Sequence, residues 1–243
     1  MDIKIIISVF NLSDDRFINL LFILNSLKKT GINESDIYLI EQESKNTLKK
    51  KNIDKLLNVN YVSYTLDGEV FQKSKLINTF VNNCNFEILW FLDADVYLNY
   101  KYVLNNLPNN LGVVRPFKEI VILSENETKF LLETEKLKLE ERNCRVDKSF
   151  GKYSFIVNKE LFISLGGMTE EFLGWGFQDL EFISRIPDKY KIGFTENIAF
   201  HLHHTRSPLT FYDKNKKIYE KNNILNKKHS KKVKRKIIKK TLD

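Results

Sequence analysis

The chain has 243 residues, 42% of them hydrophobic, enough for one sizeable globular domain. Its net charge of +8 averages over unequal parts. Asp213 to Asp243 carries 13 basic and 3 acidic residues, leaving 26 basic and 28 acidic in the rest. A near-neutral body with a lysine-rich end excludes a nucleic-acid-binding domain, whose basic face would lie on the fold itself. The two cysteines, Cys84 and Cys144, are too few for a disulfide framework and fit a reducing compartment. No stretch reaches the ~20 apolar residues of a membrane span. The opening MDIKIIISVF runs straight into a strand pattern without the features of a signal peptide, so a cytoplasmic location is expected.

In chain order, Lys4 to Phe10 reads as a buried strand, and Asn11-Leu12-Ser13 turns out of it with Ser13 as N-cap. Phe17, Leu20, Leu21, Leu24 and Leu27 recur at helical spacing, and Gly31 stands where a helix C-terminus wants it. Ile37 to Ile40 is a second strand, Lys45 to Leu57 a polar, lysine-rich helix, and Val59 to Tyr64 a third strand. Lys73 to Val81 carries Leu76, Ile77, Phe80 and Val81 along one helical face. Phe86 to Leu92 is almost unbroken apolar sequence, the pattern of a strand buried on both faces of a mostly parallel sheet. Alternation at this spacing predicts βαβ units and an α/β, doubly wound, Rossmann-like sheet flanked by helices.

The fourth strand stops at Asp93-Ala94-Asp95. Ligands of open α/β sheets bind just beyond the carboxyl ends of the strands. Two carboxylates at i and i+2 there suit a hard divalent cation able to bridge to phosphate. The alternative is that the two acids only shape a turn.

The second half is less regular. Leu111 to Pro116 reads as a strand. Glu127 to Arg142 reads as a charged helix with Phe130, Leu131, Leu137 and Leu139 inward. Tyr153 to Val157 is a strand and Lys159 to Leu165 a short helix broken by Gly166-Gly167. Gly174-Trp175-Gly176 forms a tight, aromatic-bearing loop suited to close approach of a ligand. Gln178-Asp179 then opens a helix running through Phe182, Ile183 and Ile186, whose N-terminus keeps a carboxylate ionised. Three of the four histidines fall within HLHHTR, residues 201–206. In an extended conformation His201 and His203 share a face, whereas a turn converges His201 and His204. Imidazole suits Mn, Fe, Co or Zn better than Mg.

Together these stretches resemble a GT-A-fold glycosyltransferase, close to the β-1,4-galactosyltransferase family and the bacterial chondroitin-polymerase type (family 2/7-like). The resemblance covers roughly residues 3 to 212. IIISVFN and IYLIEQ are similar to the family's first two strands, FQKSKLIN to its FNRAKLLN segment, and FLDADVYL to the DxD strand. LGGMTEEFLGWGFQDLEF resembles the GF…WGWGGEDDD segment, and HLHHTR falls at the late metal-binding motif.

The resemblance implies a metal-dependent, inverting enzyme moving a hexose or N-acetylhexosamine from a UDP-sugar to a glycan or lipid-linked acceptor. It implies Mn²⁺, with Mg²⁺ as the alternative, held by Asp95, His204 and His201; the family has methionine at the last position. Asp93 would contact the ribose or support the site, and Phe10, Asn11, Phe71 and Lys73 would surround the nucleoside. Trp175 would line the donor phosphates and, with Gln178, the acceptor site, and Asp179 would be the general base. Gln178 departs from the family's glutamate and Lys73 from its arginine.

The expected organisation is a glycosyltransferase domain over 1–212 and a lysine-rich helix or tail over 213–243. Basic residues near an anionic leaflet contribute about 1 kcal/mol each, so the tail suggests a peripheral contact with the inner face of a membrane. Two other readings remain at this level. One is a non-catalytic sugar-nucleotide or glycan-binding module. The other is a haloacid-dehalogenase-type phosphatase, whose Asp-x-Asp normally ends the first strand and not the fourth.

Overall fold

The computed structural model describes residues 2–45, 48, 59–108, 112–139, 145–147, 152–206 and 208–224. The expected helix from Lys45 to Leu57 therefore lies, apart from Lys45 and Leu48, outside the described residues, as does the tail beyond Ile224.

The main sheet takes β1 (Ile3–Val9), β2 (Ile37–Gln42), β3 (Asn60–Tyr64), β4 (Ile88–Leu92), β6 (Val113–Arg115), β9 (Ser154–Asn158) and β10 (Ile192–Phe194) in the order β10-β6-β9-β4-β1-β2-β3. β1 pairs parallel with β2 and β4, β2 with β3, and β6 with β10. The expected mostly parallel α/β sheet is thus present, with one addition. β9 is inserted antiparallel between β4 and β6. A buried apolar run such as SFIVN reads the same in either direction, so strand polarity is decided by the connections and not by the side chains.

The sheet is covered on both faces. Helix α1 (Asp14–Lys29) buries Leu20, Ile23, Leu24 and Leu27 in the cluster that includes Ile5, Ile7 and Trp90. Its N-cap is Ser13, as expected, and Gly31 follows it at φ +79°, the left-handed conformation glycine allows. Helix α2 (Lys73–Asn82) buries Leu76, Ile77, Phe80 and Val81 in the cluster on the other face, with Ile6, Leu89, Phe91 and Phe155. Every residue of β4 is buried, as its unbroken apolar run requires.

A second sheet of β5 (Val96–Leu98), β7 (Glu119–Ile122), β8 (Arg145–Asp147) and β11 (Ile198–His201), ordered β5-β11-β7-β8, sits beyond the end of β4. Its strands are three or four residues long, too short to show a period in sequence. The short helix α3 (Tyr100–Asn105) follows β5.

The charged helix is shorter than expected. Helix α4 spans Glu125–Thr134 and starts with a capping box: Glu127 N–H donates to Ser124 Oγ at 3.3 Å, and Ser124 N–H to Glu127 Oε2 at 2.7 Å. It ends where Glu135 turns left-handed at φ +57° and its N–H donates to the Leu131 carbonyl. Leu131 is buried as expected, but Leu137 and Leu139 are each 42% exposed. A continuation to Arg142 would have presented mostly charge, with little apolar surface to bury. Helix α5 (Lys159–Ser164) falls where the sequence placed it, and α6 (Gln178–Ser184) starts as expected but ends two residues before Ile186. A last helix, α7, occupies 212–224.

Candidate active site

The end of β4 delivers the two acids into a tight turn. Asp93 N–H donates to the Tyr153 carbonyl at 3.1 Å, and Val96 N–H to the Asp93 carbonyl at 3.3 Å. The chain then enters β5, which pairs antiparallel with β11, so His201 lies opposite Val96. Beyond β11 the chain turns. Leu202 N–H donates to the Asp95 carbonyl at 2.8 Å, His203 N–H to Thr128 Oγ1 at 2.8 Å, and Asn19 Nδ2 to the His203 carbonyl at 3.0 Å. That turn decides between the two histidine arrangements. His201 and His204 converge on Asp95, and His203 faces solvent.

His204 Nε2 lies 3.1 Å from Asp95 Oδ2, and His201 Nε2 lies 3.6 Å from Oδ1. One ligand atom from each of the three residues falls within 4.8 Å of the others. The His204 Nδ1 is 2.9 Å from the Thr205 carbonyl. A carbonyl at that distance selects the Nδ1–H tautomer and leaves Nε2 as the lone-pair donor. Burial pushes the His201 pKa down, against the opposing pull of Asp95, and so favours the neutral ring a metal needs. At His204 burial also opposes charge, but the hydrogen bond and charge of Asp95 outweigh it and raise the pKa. Burial likewise disfavours the Asp95 carboxylate, yet His201, His204 and Arg16 around it hold it well below the usual carboxylate range. One carboxylate and two imidazoles at this spacing fit a divalent transition ion such as Mn²⁺.

Asp93 stands in a different charge environment. Lys73, the first residue of α2, places its Nζ 2.9 Å from Asp93 Oδ1 and 3.2 Å from Asp179 Oδ2. The ammonium expected near the nucleoside thus bridges the first DxD acid, Asp93, and the candidate base. Burial works against its charge, but Asp179 and Asp93 on either side raise its pKa. Burial raises Asp93 to about 6, with Lys73 opposing and Asp179 and Asp95 adding to the shift.

Asp179 lies in the first turn of α6, reached through a glycine-rich loop. Gly174 and Gly176 adopt φ +64° and +108°, and Phe177 at +72° is the N-cap. Trp175 is 56% exposed at the tip of this loop. Gln178, expected at the acceptor, is 5% exposed, and its Nε2 donates to the Gly174 carbonyl at 2.8 Å. Its amide is committed to shaping the loop.

The remaining expected donor residues lie together. The rings of Phe10 and Phe71 stack with centroids 5.7 Å apart and planes 4° apart. Asn11 next to Phe10 is left-handed at φ +43°. Gln42, at the end of β2, holds the Phe71 segment: its Nε2 donates to the Val70 carbonyl, and its Oε1 accepts from Gln72 N–H at 2.7 Å. Gly174 N–H donates to the Phe71 carbonyl at 2.8 Å, joining the Phe71 and Trp175 segments.

Sequence reasoning missed Arg16, whose Nη1 is 3.9 Å from Asp95 Oδ2. It also missed Glu181, buried and paired with Arg185 at 3.0 Å. Arg16 stands in no motif, whereas Glu181 lies within the LGGMTEEFLGWGFQDLEF segment, two residues after Asp179.

Residues 135–208 match the family model described as the N-terminal domain of galactosyltransferase. No curated protein sequence matches the chain. Among solved structures, GalNAc-T7 with UDP, GalNAc and Mn²⁺ is similar at a TM-score of 0.60 and 14% identity, covering 84% of this chain and 44% of that one. The mannosyltransferase PcManGT of Pyrobaculum calidifontis, with GDP-Man and Mn²⁺, is similar at 0.56 and 15%, covering 85% and 58%. The catalytic domain of Drosophila β1,4-galactosyltransferase 7 with xylobiose is similar at 0.50 and 17%, covering 88% and 79%. The chain thus spans less than half the length of GalNAc-T7 and under two thirds of the mannosyltransferase. It has the GT-A glycosyltransferase fold, and over residues 135–208 it resembles galactosyltransferases.

Proposed function

We propose that the protein is a metal-dependent, inverting glycosyltransferase that moves a hexose or N-acetylhexosamine from a UDP-sugar to a hydroxyl of a glycan or lipid-linked acceptor. The observation that carries this reading is the convergence of Asp95, His201 and His204 beside the Asp93–Lys73–Asp179 bridge, at the carboxyl end of β4. GT-A proteins of similar fold were solved with UDP or GDP-Man and Mn²⁺.

Asp95, His201 and His204 would hold Mn²⁺. When bound, such an ion supplies Lewis-acid stabilisation of the charge that develops on departing UDP. The Phe10–Phe71 pair offers flat apolar surface to the uracil, with Asn11 at its edge, and Asp93 approaches the ribose. Trp175 presents an exposed indole face to a sugar ring. Lys73 engages Oδ2 of Asp179, and the other carboxylate oxygen takes the proton of the acceptor hydroxyl. The acceptor oxygen bonds to the anomeric carbon from the face opposite the departing phosphate oxygen. The carbon–oxygen bond to UDP breaks, and an α-linked donor yields a β-glycoside.

The lysine-rich segment from Asp213 onward suits a peripheral contact with an anionic inner leaflet, near a lipid-linked acceptor. No helix among the described residues is long and apolar enough to cross a membrane.

The test is release of UDP from a panel of UDP-sugars with Mn²⁺, comparing wild type with Asp95→Ala and Asp179→Asn. The expected result is slow hydrolysis of one sugar, abolished by Asp95→Ala. Asp179→Asn is expected to keep donor binding and lose transfer by about 10³-fold or more. Donor binding without turnover in wild type would replace this reading with that of a binding module. The absence of both binding and turnover would end it.

A further inference from the structure

Helix α7 carries an unusual stripe. Tyr212, Asn215, Tyr219 and Asn222 recur at i, i+3, i+7 and i+10, which puts them on one helical face. That face packs on the Trp175 loop and α6. The opposite face, with Lys214, Lys217 and Lys221, is exposed, as is Lys216 at the edge of the stripe.

Each member of the stripe has a defined partner. Asn215 is 0% exposed. Its Nδ2 donates to the Leu173 carbonyl at 2.8 Å and to the Trp175 carbonyl at 3.2 Å, and its Oδ1 accepts from Leu173 N–H at 3.3 Å. The Tyr212 ring stacks on the Trp175 indole, with centroids 5.9 Å and planes 18° apart. A Cβ on Gly176 would stand 3.3 Å from the Tyr212 ring, so the glycine permits this approach. Phe177, the left-handed N-cap of α6, lies between Tyr212 at 5.1 Å and Tyr219 at 5.5 Å. Asn222 Nδ2 donates to Glu181 within α6 at 3.3 Å.

A loop with left-handed backbone at three of four successive positions, Gly174, Gly176 and Phe177, has little local reason to hold one shape. Beyond the bonds of Gly174 to Gln178 and Phe71, the contacts from α7 supply it. We propose that α7 is a positioning element of the active site, with Tyr212 and Asn215 holding the Trp175 loop in the conformation that receives the acceptor and aims Asp179. The inference rests on the glycosyltransferase reading for its kinetic consequence, but its structural half does not. It also means that residues 213–224, grouped by composition with the basic tail, serve the site.

The experiment compares full-length Tyr212→Phe, Tyr212→Ala and Asn215→Ala by two readouts. The first needs no activity. The chain has two tryptophans, and Trp90 is fully buried, so subtracting the signal of a matched Trp175→Phe variant isolates Trp175 emission. Tyr212→Ala and Asn215→Ala should increase acrylamide quenching of Trp175 and red-shift its emission, while Tyr212→Phe, which keeps the stack, should not. The second readout is transfer to p-nitrophenyl β-glucoside, β-galactoside and β-xyloside. KM for the glycoside should rise about tenfold in the two alanine variants, with UDP-sugar hydrolysis within about twofold of wild type. Unchanged quenching in a folded Tyr212→Ala protein would overturn the proposal, as would equal losses of hydrolysis and transfer. If wild type turns over no UDP-sugar, the functional reading fails by itself, and the quenching result still decides the role of α7. Should Asn215→Ala fail to fold, the Tyr212 pair decides it.

Discussion

The two halves of the site are held in place by different means. The metal half is built on strands: Asp95 and His201 follow from the pairing of β5 with β11, and main-chain bonds from Leu202 and His203 fix the turn that swings His204 inward. The proposed acceptor half has no ladder. Its loop is held by the Gln178 amide, by the bond to the Phe71 carbonyl and by side chains reaching in from α7, where Asn215 stands 40 to 42 residues beyond its partners. A ladder spreads the constraint over many bonds, whereas the loop depends on a few residues. Single substitutions distant from the chemistry should therefore disturb the acceptor half more than the metal half.

Removing a ligand is the exception and the largest expected effect. His204→Ala deletes one of three converging ligand atoms and should weaken Mn²⁺ binding by more than about 100-fold, measured by isothermal titration. An equal affinity in wild type and variant would remove His204 from the metal site.

A smaller effect tests the supports of the metal half. Asn19→Ala removes the bond to the His203 carbonyl and leaves that carbonyl without this donor. It should cost about 1–3 kcal/mol in stability and weaken Mn²⁺ binding by only about threefold, less than the roughly tenfold rise in KM expected of the α7 variants. If metal affinity falls as far as in His204→Ala, the ladder holds the turn less firmly than its hydrogen bonds imply.

The smallest effect concerns Asp93. Its pKa is raised from 3.8 to about 6 in the folded protein, so the native state prefers the protonated acid. The native state therefore gains from this group below pH 3.8 and loses that gain as pH rises through about 6. In metal-free protein, the melting temperature of Asp93→Asn relative to wild type should climb between those limits and level off above them. The carboxylate is 31% exposed, so the change is of order 1 kcal/mol. A flat difference across this range would show that Lys73 offsets the burial of Asp93 completely.

Much of this arrangement is legible in the amino-acid order. The runs IKIIISV and EILWFL require buried strands, and the leucine spacing in α1 and α2 requires helices that cover a sheet. The acids after β4 and the histidine cluster announce themselves by residue type. The capping box of Ser124 and Glu127 was also present in the sequence, and it starts the helix at Glu125, two residues before the predicted start. The end of that helix was harder to read, because a charged segment continues past Thr134 with helix-compatible residues and only the left-handed Glu135 stops it.

Other features have no sequence signal. The antiparallel entry of β9 depends on which strand gap is open when the chain returns, and the small sheet is made of strands of three or four residues, too few to show an alternation. The choice between His203 and His204 depends on a turn held by Thr128 and Asn19, remote in sequence. Lys73 was placed near the site by resemblance, but its bridge between Asp93 and Asp179 needs α2 and α6 packed together. Composition drew the last boundary at residue 212, since lysine counts change there. By itself the sequence determined the sheet-forming strands, their covering helices and the chemical types gathered at the site, because periodicity and residue type are local properties. Only the tertiary structure decided which imidazoles meet Asp95, what Lys73 bridges and that α7 holds the Trp175 loop, because each is a contact between segments that no local pattern encodes.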